Sequence, residues 1–311
     1  MPDPTADEPA GRHNNGGVSP ILADFRRDVI PTTNVPINVR MGGSGPGLLL
    51  LHGYPQTGAM WHKIAPGLSA DHTVVIADLR GYGASGKPSG QPGGELYSKR
   101  VMAQDMVEVM AALGFETFTV VGHDRGARVA HRMGLDHPER IERMTVMDII
   151  PTLQVFRSAD ETMARVYYHW FLLSQPYDLP ERLVGSDPEF YLRWCLRTWS
   201  TDFGAFTGPA LNEYIAAFSD PATVHATCED YRAGAGIDLE HDEADLDSKL
   251  GFPLQVLWGE HGFVGKAYDV LGEWRKRADD VTGEAVPSAH FLPEEAPAET
   301  TAALRRFLKA R

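Results

Sequence analysis

Apolar residues follow two different spacings along this chain. Gly47–Leu51 and Thr73–Ala77 are largely apolar runs of strand length, which is typical of strands buried on both faces of a sheet. Lys99–Leu113 instead carries apolar residues at helical spacing and predicts an amphipathic helix. Further strands are predicted at Phe25–Ile30, Val35–Met41, Phe118–Val121, Arg143–Met147, Leu254–Trp258 and Val281–Val286. The alternation of strands and helices predicts an α/β fold, with a mostly parallel sheet and helices on both faces.

This alternation stops between residues 151 and 247. The stretch is rich in Trp, Tyr and Phe, and its patterns are helical. We therefore predict a helical cap at 151–247, inserted into a core domain made of 21–150 and 248–311. The core resumes with predicted helices at Tyr268–Lys276 and Pro297–Ala310. Residues 1–20 are polar, with Pro, Gly and Asn and no apolar signal core, which predicts a flexible tail.

A short segment between strand and helix carries the first chemical signal. The strand at Phe118–Val121 is followed by Gly122, His123, Asp124, Arg125 and Gly126, and then by a helix-forming stretch. A sharp strand-to-helix turn with glycine at both shoulders is a nucleophile elbow. Asp124 lies at its apex, where serine is better known. A carboxylate nucleophile forms an alkyl ester, which suits displacement of a halide or opening of an epoxide.

Two arginines follow the nucleophile. Arg125 and Arg128 are three residues apart, so they share one helix face. Cations in the first turn of a helix oppose its dipole by roughly 0.3–1 kcal/mol each. We interpret the pair as a clamp for an anionic group on the substrate, most naturally a carboxylate. The alternative is two surface arginines paired with nearby acids.

The loop after the third strand provides the expected oxyanion site. It reads His52-Gly53-Tyr54-Pro55, and in α/β-hydrolases a loop at this point supplies one backbone N–H to an oxyanion hole. The predicted donors are the amides of Tyr54 and Arg125. His52 is interpreted as structural rather than as a base.

A histidine late in the chain is the predicted general base. His290, after the last predicted strand, would take a proton from the water that attacks the alkylated Asp124. An acid must orient His290 and stabilise its cation. We assign Asp148, at the end of the strand Arg143–Met147, with Glu260 as the alternative. A third interpretation gives Asp148 only a capping role.

The composition of the chain limits which classes of binding partner it is suited to. The 311 residues carry a net charge of −13, which makes nucleic acid and anionic membranes unsuitable partners. Only two cysteines occur, Cys195 and Cys228, so a reducing, cytoplasmic location is expected and no disulfide framework is implied. No apolar run reaches membrane-spanning length. The twelve histidines show no metalloprotease spacing, and we expect no metal and no cofactor.

Several motifs together resemble one enzyme family. The segments GHDRGARV, HGYPQTGAMWH, Tyr168-His169-Trp170, CEDYRAGA and SAHFLPEE look like those of fluoroacetate dehalogenases. The resemblance implies the α/β-hydrolase fold, hydrolysis of a small anionic haloacid, and carboxylate binding by Arg125 and Arg128. It also implies that His169, Trp170 and Tyr231 bind the departing halide, that Trp199 lines the pocket, and that the protein is a homodimer.

The sequence leaves two other functions open. An epoxide hydrolase would use the same Asp124, His290 and Asp148, with cap tyrosines on the epoxide oxygen. An uncharged epoxide, however, has no use for Arg125 and Arg128. A non-catalytic ligand-binding protein of the same fold is disfavoured because all three catalytic positions are intact.

Overall fold

An eight-stranded sheet forms the centre of the computed structural model, which describes residues 21–90 and 94–309. The predicted tail, residues 1–20, lies outside the described residues. The strands are β1 Arg26–Pro31, β2 Pro36–Gly42, β3 Gly47–Leu51, β4 Thr73–Ala77, β5 Phe118–His123, β6 Ile141–Met147, β7 Leu254–Gly259 and β8 Val281–Val286. Their order is β1-β2-β4-β3-β5-β6-β7-β8. The mostly parallel sheet predicted from the apolar runs is confirmed, since only the β1–β2 and β2–β4 pairs are antiparallel.

Helices cover the sheet and fill the segment between β6 and β7. The α-helices are α1 Ala65–Leu68, α2 Lys99–Ala112, α3 Arg125–Asp136, α4 Thr152–Arg157, α5 Glu161–Val166, α6 Tyr168–Leu173, α7 Leu179–Gly185, α8 Pro188–Trp199, α9 Gly208–Phe218, α10 Pro221–Gly234, α11 Ile237–Ala244, α12 Phe263–Ala267, α13 Val270–Arg275, α14 Leu292–Glu295 and α15 Pro297–Lys309. Short 3₁₀ helices lie at Gly58–Lys63, Glu95–Tyr97, Pro138–Arg140 and Phe203–Ala205. Among the helices described, none is long and apolar enough to cross a membrane.

One predicted helix begins later than expected. Helix α13, Val270–Arg275, lies inside the predicted range Tyr268–Lys276, whereas Tyr268, which follows the end of α12, has an extended backbone. Asp269 precedes α13, and its side chain accepts a hydrogen bond from the amide of Gly272. An aspartate that caps a helix in this way fixes the start of that helix, so the apolar spacing could not continue through Tyr268.

The central strands place the elbow at one edge of the sheet. Every residue of β3 and β5 is buried, in agreement with the continuous apolar runs. The chain leaves β3 for β4 on one side and later enters β5 on the other. Ligands of open α/β sheets bind beyond the carboxyl ends of strands at such a reversal of strand order. Asp124 directly follows β5 at that edge.

The region between β6 and β7 is helical, as predicted. Helices α4 to α11 run from Thr152 to Ala244 and contribute no strand to the sheet. Treating residues 151–247 as a separate cap domain stays a prediction. Cys195 and Cys228, both in this region, are buried free thiols.

Candidate active site

The elbow is a strained turn that admits no side chain at its shoulders. A Cβ atom on Gly122 would lie 2.6 Å from the backbone of Ala127, and one on Gly126 would lie 2.4 Å from the carbonyl oxygen of His52. Asp124 has a φ of +46°, a region that L-residues other than glycine rarely adopt. The tight turn therefore holds the Asp124 carboxylate above the sheet edge, at the start of α3.

The loop after β3 closes over this carboxylate. The amide of Tyr54 donates a hydrogen bond of 2.9 Å to Oδ1 of Asp124, and Arg125 occupies the first position of α3, where helical amides have no intrahelical partner. Gly53 is needed for this approach, because a Cβ atom there would lie 2.5 Å from Cβ of Asp124. Gly53 was not identified as a site residue from the sequence, although its place beside Tyr54 was the available signal.

His290 contacts the acid that the sequence favoured. Its Nδ1 lies 2.7 Å from Oδ2 of Asp148, while Oδ1 of Asp148 accepts a hydrogen bond of 3.0 Å from the amide of Gly259. Asp148 is 2% exposed and has a φ of +52°. Glu260, the alternative acid, is exposed to solvent. The structure thus pairs His290 with Asp148.

His52 has a structural environment. The amide of Leu79 donates to its Nε2 at 3.0 Å, so the proton is on Nδ1, which lies 3.1 Å from the carbonyl oxygen of Gly53. Both ring nitrogens are occupied by backbone groups, and burial lowers the pKa of His52. These contacts leave no nitrogen for proton transfer to a ligand.

The two arginines are buried, so the alternative of two surface arginines is wrong. Arg125 is 1% exposed and donates from Nε and Nη2 to the carboxylate of Asp230, at 2.9 and 2.8 Å. Asp230, on α10, also accepts hydrogen bonds from Lys99 and from the Tyr82 hydroxyl. Asp230 was not identified from the sequence. An acid inside a helix and next to the predicted halide ligand Tyr231 was the available signal.

Arg128 has a different environment. It is 4% exposed, and its Nη1 donates to the Ile150 carbonyl and the Thr152 hydroxyl at 3.1 and 3.0 Å. Its guanidinium carbon lies 4.6 Å from the centroid of the Trp170 ring. Within residues 21–90 and 94–309, no carboxylate forms a salt bridge with Arg128. Arg128 is therefore a buried cation whose partners are neutral.

A cavity of about 180 Å³ opens beside these groups. It is lined by residues of the predicted site, of the helical region and of the chain that follows β7 and β8: Asp124, Asp148, Val166, Tyr167, His169, Trp170, Thr198, Trp199, Ser200, Thr201, His261, Gly262, Phe263, Ala289 and His290. The His169 and Trp199 rings have centroids 4.4 Å apart. Tyr231 and the arginines do not line the cavity directly. Tyr231 packs against Tyr54 with a centroid distance of 5.2 Å, and the Arg125 guanidinium lies 4.2 Å from the Tyr231 ring centroid.

Comparisons with known proteins decide the family. A model of the α/β hydrolase fold matches residues 46–297. The chain belongs to the α/β-hydrolase fold family. The predicted fold class is thereby confirmed.

Two relatives within the α/β-hydrolase family carry the names of different enzymes. The chain is 44% identical to a fluoroacetate dehalogenase of a Burkholderia species, over 91% of this chain and 94% of that protein. It is 34% identical to a soluble epoxide hydrolase of Corynebacterium sp. strain C12, over 82% of this chain and 87% of that protein. The structure of a putative α/β hydrolase from Nostoc sp. PCC 7120 superposes with a TM-score of 0.92 and 57% identity, covering 93% and 99% of the two chains. The resemblance to fluoroacetate dehalogenases is confirmed.

Electrostatics in this hydrolase site favour a charged pair. Burial raises the pKa of Asp124, but the positive charges of His290, Arg128 and Arg125 outweigh it and hold that pKa below its usual range. Burial also lowers the pKa of His290, yet Asp148 and Asp124 outweigh it and raise the pKa above 6.5. Both shifts favour the charged forms of these groups, the Asp124 carboxylate and the His290 imidazolium.

The neighbouring histidine His169 is neutral. Burial lowers its pKa to about 3. A neutral imidazole keeps one N–H that donates a hydrogen bond. The His169 side chain thus offers a donor without a full positive charge.

Among residues 21–90 and 94–309, one group of side chains could hold a metal ion. Ligand atoms of Glu181, His225 and Glu229 lie within 4.8 Å of one another. Arg232 already forms salt bridges with both glutamates, at 2.7 and 2.6 Å. The group shares no residue with the cavity at Asp124, so it has no part in the reacting site.

Proposed function

We propose that this protein hydrolyses a carbon–halogen bond in a small 2-haloacid, most specifically converting fluoroacetate to glycolate and fluoride. The chemistry proceeds through a covalent ester on Asp124. The relative named fluoroacetate dehalogenase supports this proposal. The geometry of the site supports it independently.

The buried cation at Arg128 carries the proposal. A buried charge without a counter-charge is unfavourable, and burial lowers the pKa of Arg128 despite the nearby Asp124 charge. Nη1 is occupied by neutral oxygens, and no residue that the structure describes accepts a hydrogen bond from Nη2. A substrate carboxylate would form the salt bridge that Arg128 lacks within the described residues. Arg125, held by Asp230, likewise has no acceptor for Nη1 among those residues and would provide the second half of the clamp.

The proposed first step is a displacement at carbon. A carboxylate oxygen of Asp124 forms a bond to the carbon that carries the halogen, and the carbon–halogen bond breaks with its electron pair leaving as halide. His169, Trp170 and Tyr231 would donate hydrogen bonds to the halide as its charge develops. By analogy with oxyanion-hole donors, each would lower the barrier by on the order of 2–4 kcal/mol.

The second step is hydrolysis of the ester. His290 takes a proton from water, and the hydroxyl oxygen attacks the carbonyl carbon of the Asp124 ester. The amide of Tyr54 already donates to an oxygen of this group and would stabilise the oxyanion, together with the amide of Arg125. The bond between the carbonyl carbon and the oxygen that is attached to the substrate carbon then breaks. The departing alkoxide takes the proton from His290. Glycolate leaves with an oxygen that came from Asp124.

Formation of the ester would also lower the pKa of His290, the proposed base. The negative charge of Asp124 is one of the causes that raise the pKa of His290. Because the ester is neutral, that contribution disappears once Asp124 is alkylated. His290 would therefore lose its proton more readily in the intermediate, where a base is required.

The test is a single turnover in water enriched with heavy oxygen. Excess enzyme with fluoroacetate should release fluoride and yield first glycolate without label. Asp124→Asn should give no fluoride, whereas His290→Asn should accumulate protein with the mass of the ester. Label in the glycolate of the first turnover would mean direct attack by water and would exclude the ester.

Epoxide hydrolysis is the second candidate. An epoxide hydrolase is among the relatives, and the hydroxyl groups of Tyr167 and Tyr231 are both buried near Asp124. These hydroxyls could donate to an epoxide oxygen. Arg128 argues against this candidate, because an uncharged epoxide forms no salt bridge with its guanidinium. Diol formation from a neutral epoxide, faster than halide release from any haloacid, would favour the epoxide hydrolase. Homodimer formation and a cytoplasmic location stay predictions.

A further inference from the structure

Glu295, at the end of α14, is bonded to two separate parts of the site. Its Oε1 accepts a hydrogen bond of 2.9 Å from the amide of Phe291, and its Oε2 accepts one of 3.2 Å from the amide of Ala289. These two residues flank His290. Glu295 thus binds the backbone on both sides of the proposed base.

The same carboxylate also binds the helical region. Its Oε2 accepts hydrogen bonds from the amide and from the hydroxyl of Thr201, both at 2.7 Å. Thr201 follows the end of α8 and is separated from Glu295 by 94 residues in sequence. One carboxylate therefore joins the loop of His290 to the segment that follows Trp199.

The backbone of His290 is part of the same junction. Its amide donates to the carbonyl oxygen of Trp199 at 3.0 Å, and its carbonyl oxygen lies 2.7 Å from Nε2 of His123. The Trp199 ring lines the cavity and meets the His290 ring edge to face, with centroids 5.9 Å apart. The position of His290 is therefore connected to a wall of the substrate cavity.

We infer that Glu295 is a positioning residue, which fixes His290 and links it to the cavity wall at Trp199 through Thr201. The inference rests on the proposed function, because it assigns Glu295 to the step in which His290 activates water. Asp124 attacks the substrate without help from a base. Loss of Glu295 should consequently slow ester hydrolysis and leave alkylation of Asp124 nearly unchanged.

The experiment compares Glu295→Gln with Glu299→Gln. The second variant is a matched control, since Glu299 is exposed on the neighbouring helix α15. A glutamine at 295 keeps one acceptor oxygen but turns an NH₂ group toward backbone N–H donors. Rapid-quench mass spectrometry with fluoroacetate measures formation and decay of the ester. Displacement of a catalytic group by about 1 Å can cost on the order of 100-fold in rate.

We expect Glu295→Gln to slow ester decay by at least about tenfold, within that range, so that ester accumulates in the steady state. The control should behave as the wild type, and Glu295→Asp should recover part of the rate. Equal slowing of both steps, or no change in either, would overturn the inference. Thr201→Val, which removes only the hydroxyl donor, provides a milder variant if Glu295→Gln does not fold.

A second measurement separates this inference from the proposed function. The imidazole of His290 can be titrated by NMR without any substrate, and the charge of Glu295 contributes to raising its pKa. The pKa of His290 should fall in Glu295→Gln and not in Glu299→Gln. Identical His290 titrations in the two variants would refute the role of Glu295. Absence of halide release by the wild type would instead refute the proposed function alone.

Discussion

Replacing Asp148 by asparagine tests the pairing on which the base depends. His290 Nδ1 and Asp148 Oδ2 lie 2.7 Å apart, and both residues are shielded from solvent. Asparagine keeps the size of the side chain and can still accept from the amide of Gly259. The substitution removes the negative charge and turns an NH₂ group toward Nδ1 of His290.

The magnitude follows from the charge separation. The charges are spread over the imidazolium ring and the carboxylate, so their centres are about 4 Å apart, where two unit charges interact by about 4 kcal/mol at an effective dielectric constant of about 20. Since one pKa unit corresponds to about 1.4 kcal/mol, the pKa of His290 should fall by up to about 3 units. Relaxation of the site makes about 2 units a reasonable lower figure on the same scale.

The Asp148→Asn substitution should also change the stability of the protein and the rate of ester decay, each in a defined direction. The pKa of His290 is raised in the folded protein, so its protonation stabilises the fold fully below the unfolded pKa of about 6.5 and ceases to do so as pH rises through the folded pKa. The stability gap between wild type and Asp148→Asn should therefore narrow as pH rises above about 6.5. Ester decay should slow by about 10³–10⁴-fold, because an asparagine NH₂ group facing Nδ1 selects the wrong tautomer.

The assay combines NMR titration of His290 with the pH dependence of ester decay. Glu260→Gln is the matched control, because Glu260 is the alternative acid and is exposed. We expect both readouts to move in Asp148→Asn and to stay fixed in the control. An unchanged His290 pKa in Asp148→Asn, or a shift in Glu260→Gln instead, would refute the pairing.

Three other substitutions test the surroundings of the site. Arg128→Met should raise KM for fluoroacetate by at least about tenfold, equivalent to about 1.4 kcal/mol, and should leave KM for fluoroacetamide nearly unchanged; equal effects would exclude the clamp. Asp230→Asn should lower the free energy of unfolding by about 3–5 kcal/mol in urea titrations, because Arg125 and Lys99 lose a buried counter-charge; a loss below about 1 kcal/mol would mean the pair is dispensable. Burial raises the pKa of Glu294 from 4.5 to about 8, so the wild type should lose stability as pH rises through that interval. Glu294→Gln should abolish that pH dependence, and an unchanged slope of the unfolding midpoint would contradict the raised pKa.

The sequence by itself determined the features that depend on neighbouring residues. Gly122 and Gly126 predicted the elbow because a Cβ atom at either position would collide with adjacent backbone. The apolar runs predicted β3 and β4 because a strand buried on both faces needs apolar residues at every position. Chain order then placed His290 in the last loop before the C-terminal helix.

Only the tertiary structure decided which distant side chains meet. Asp148 and Glu260 were both open to His290 in the sequence, and the sheet order brought Asp148 within 2.7 Å and left Glu260 in solvent. The partner of Arg125 is Asp230, 105 residues away, and local spacing contains no information on such a pair. Local spacing likewise does not indicate that Glu295 and Thr201, 94 residues apart, are hydrogen-bonded. Pairings of this kind arise from how whole elements pack in the folded protein, and the local spacing of residues does not record them.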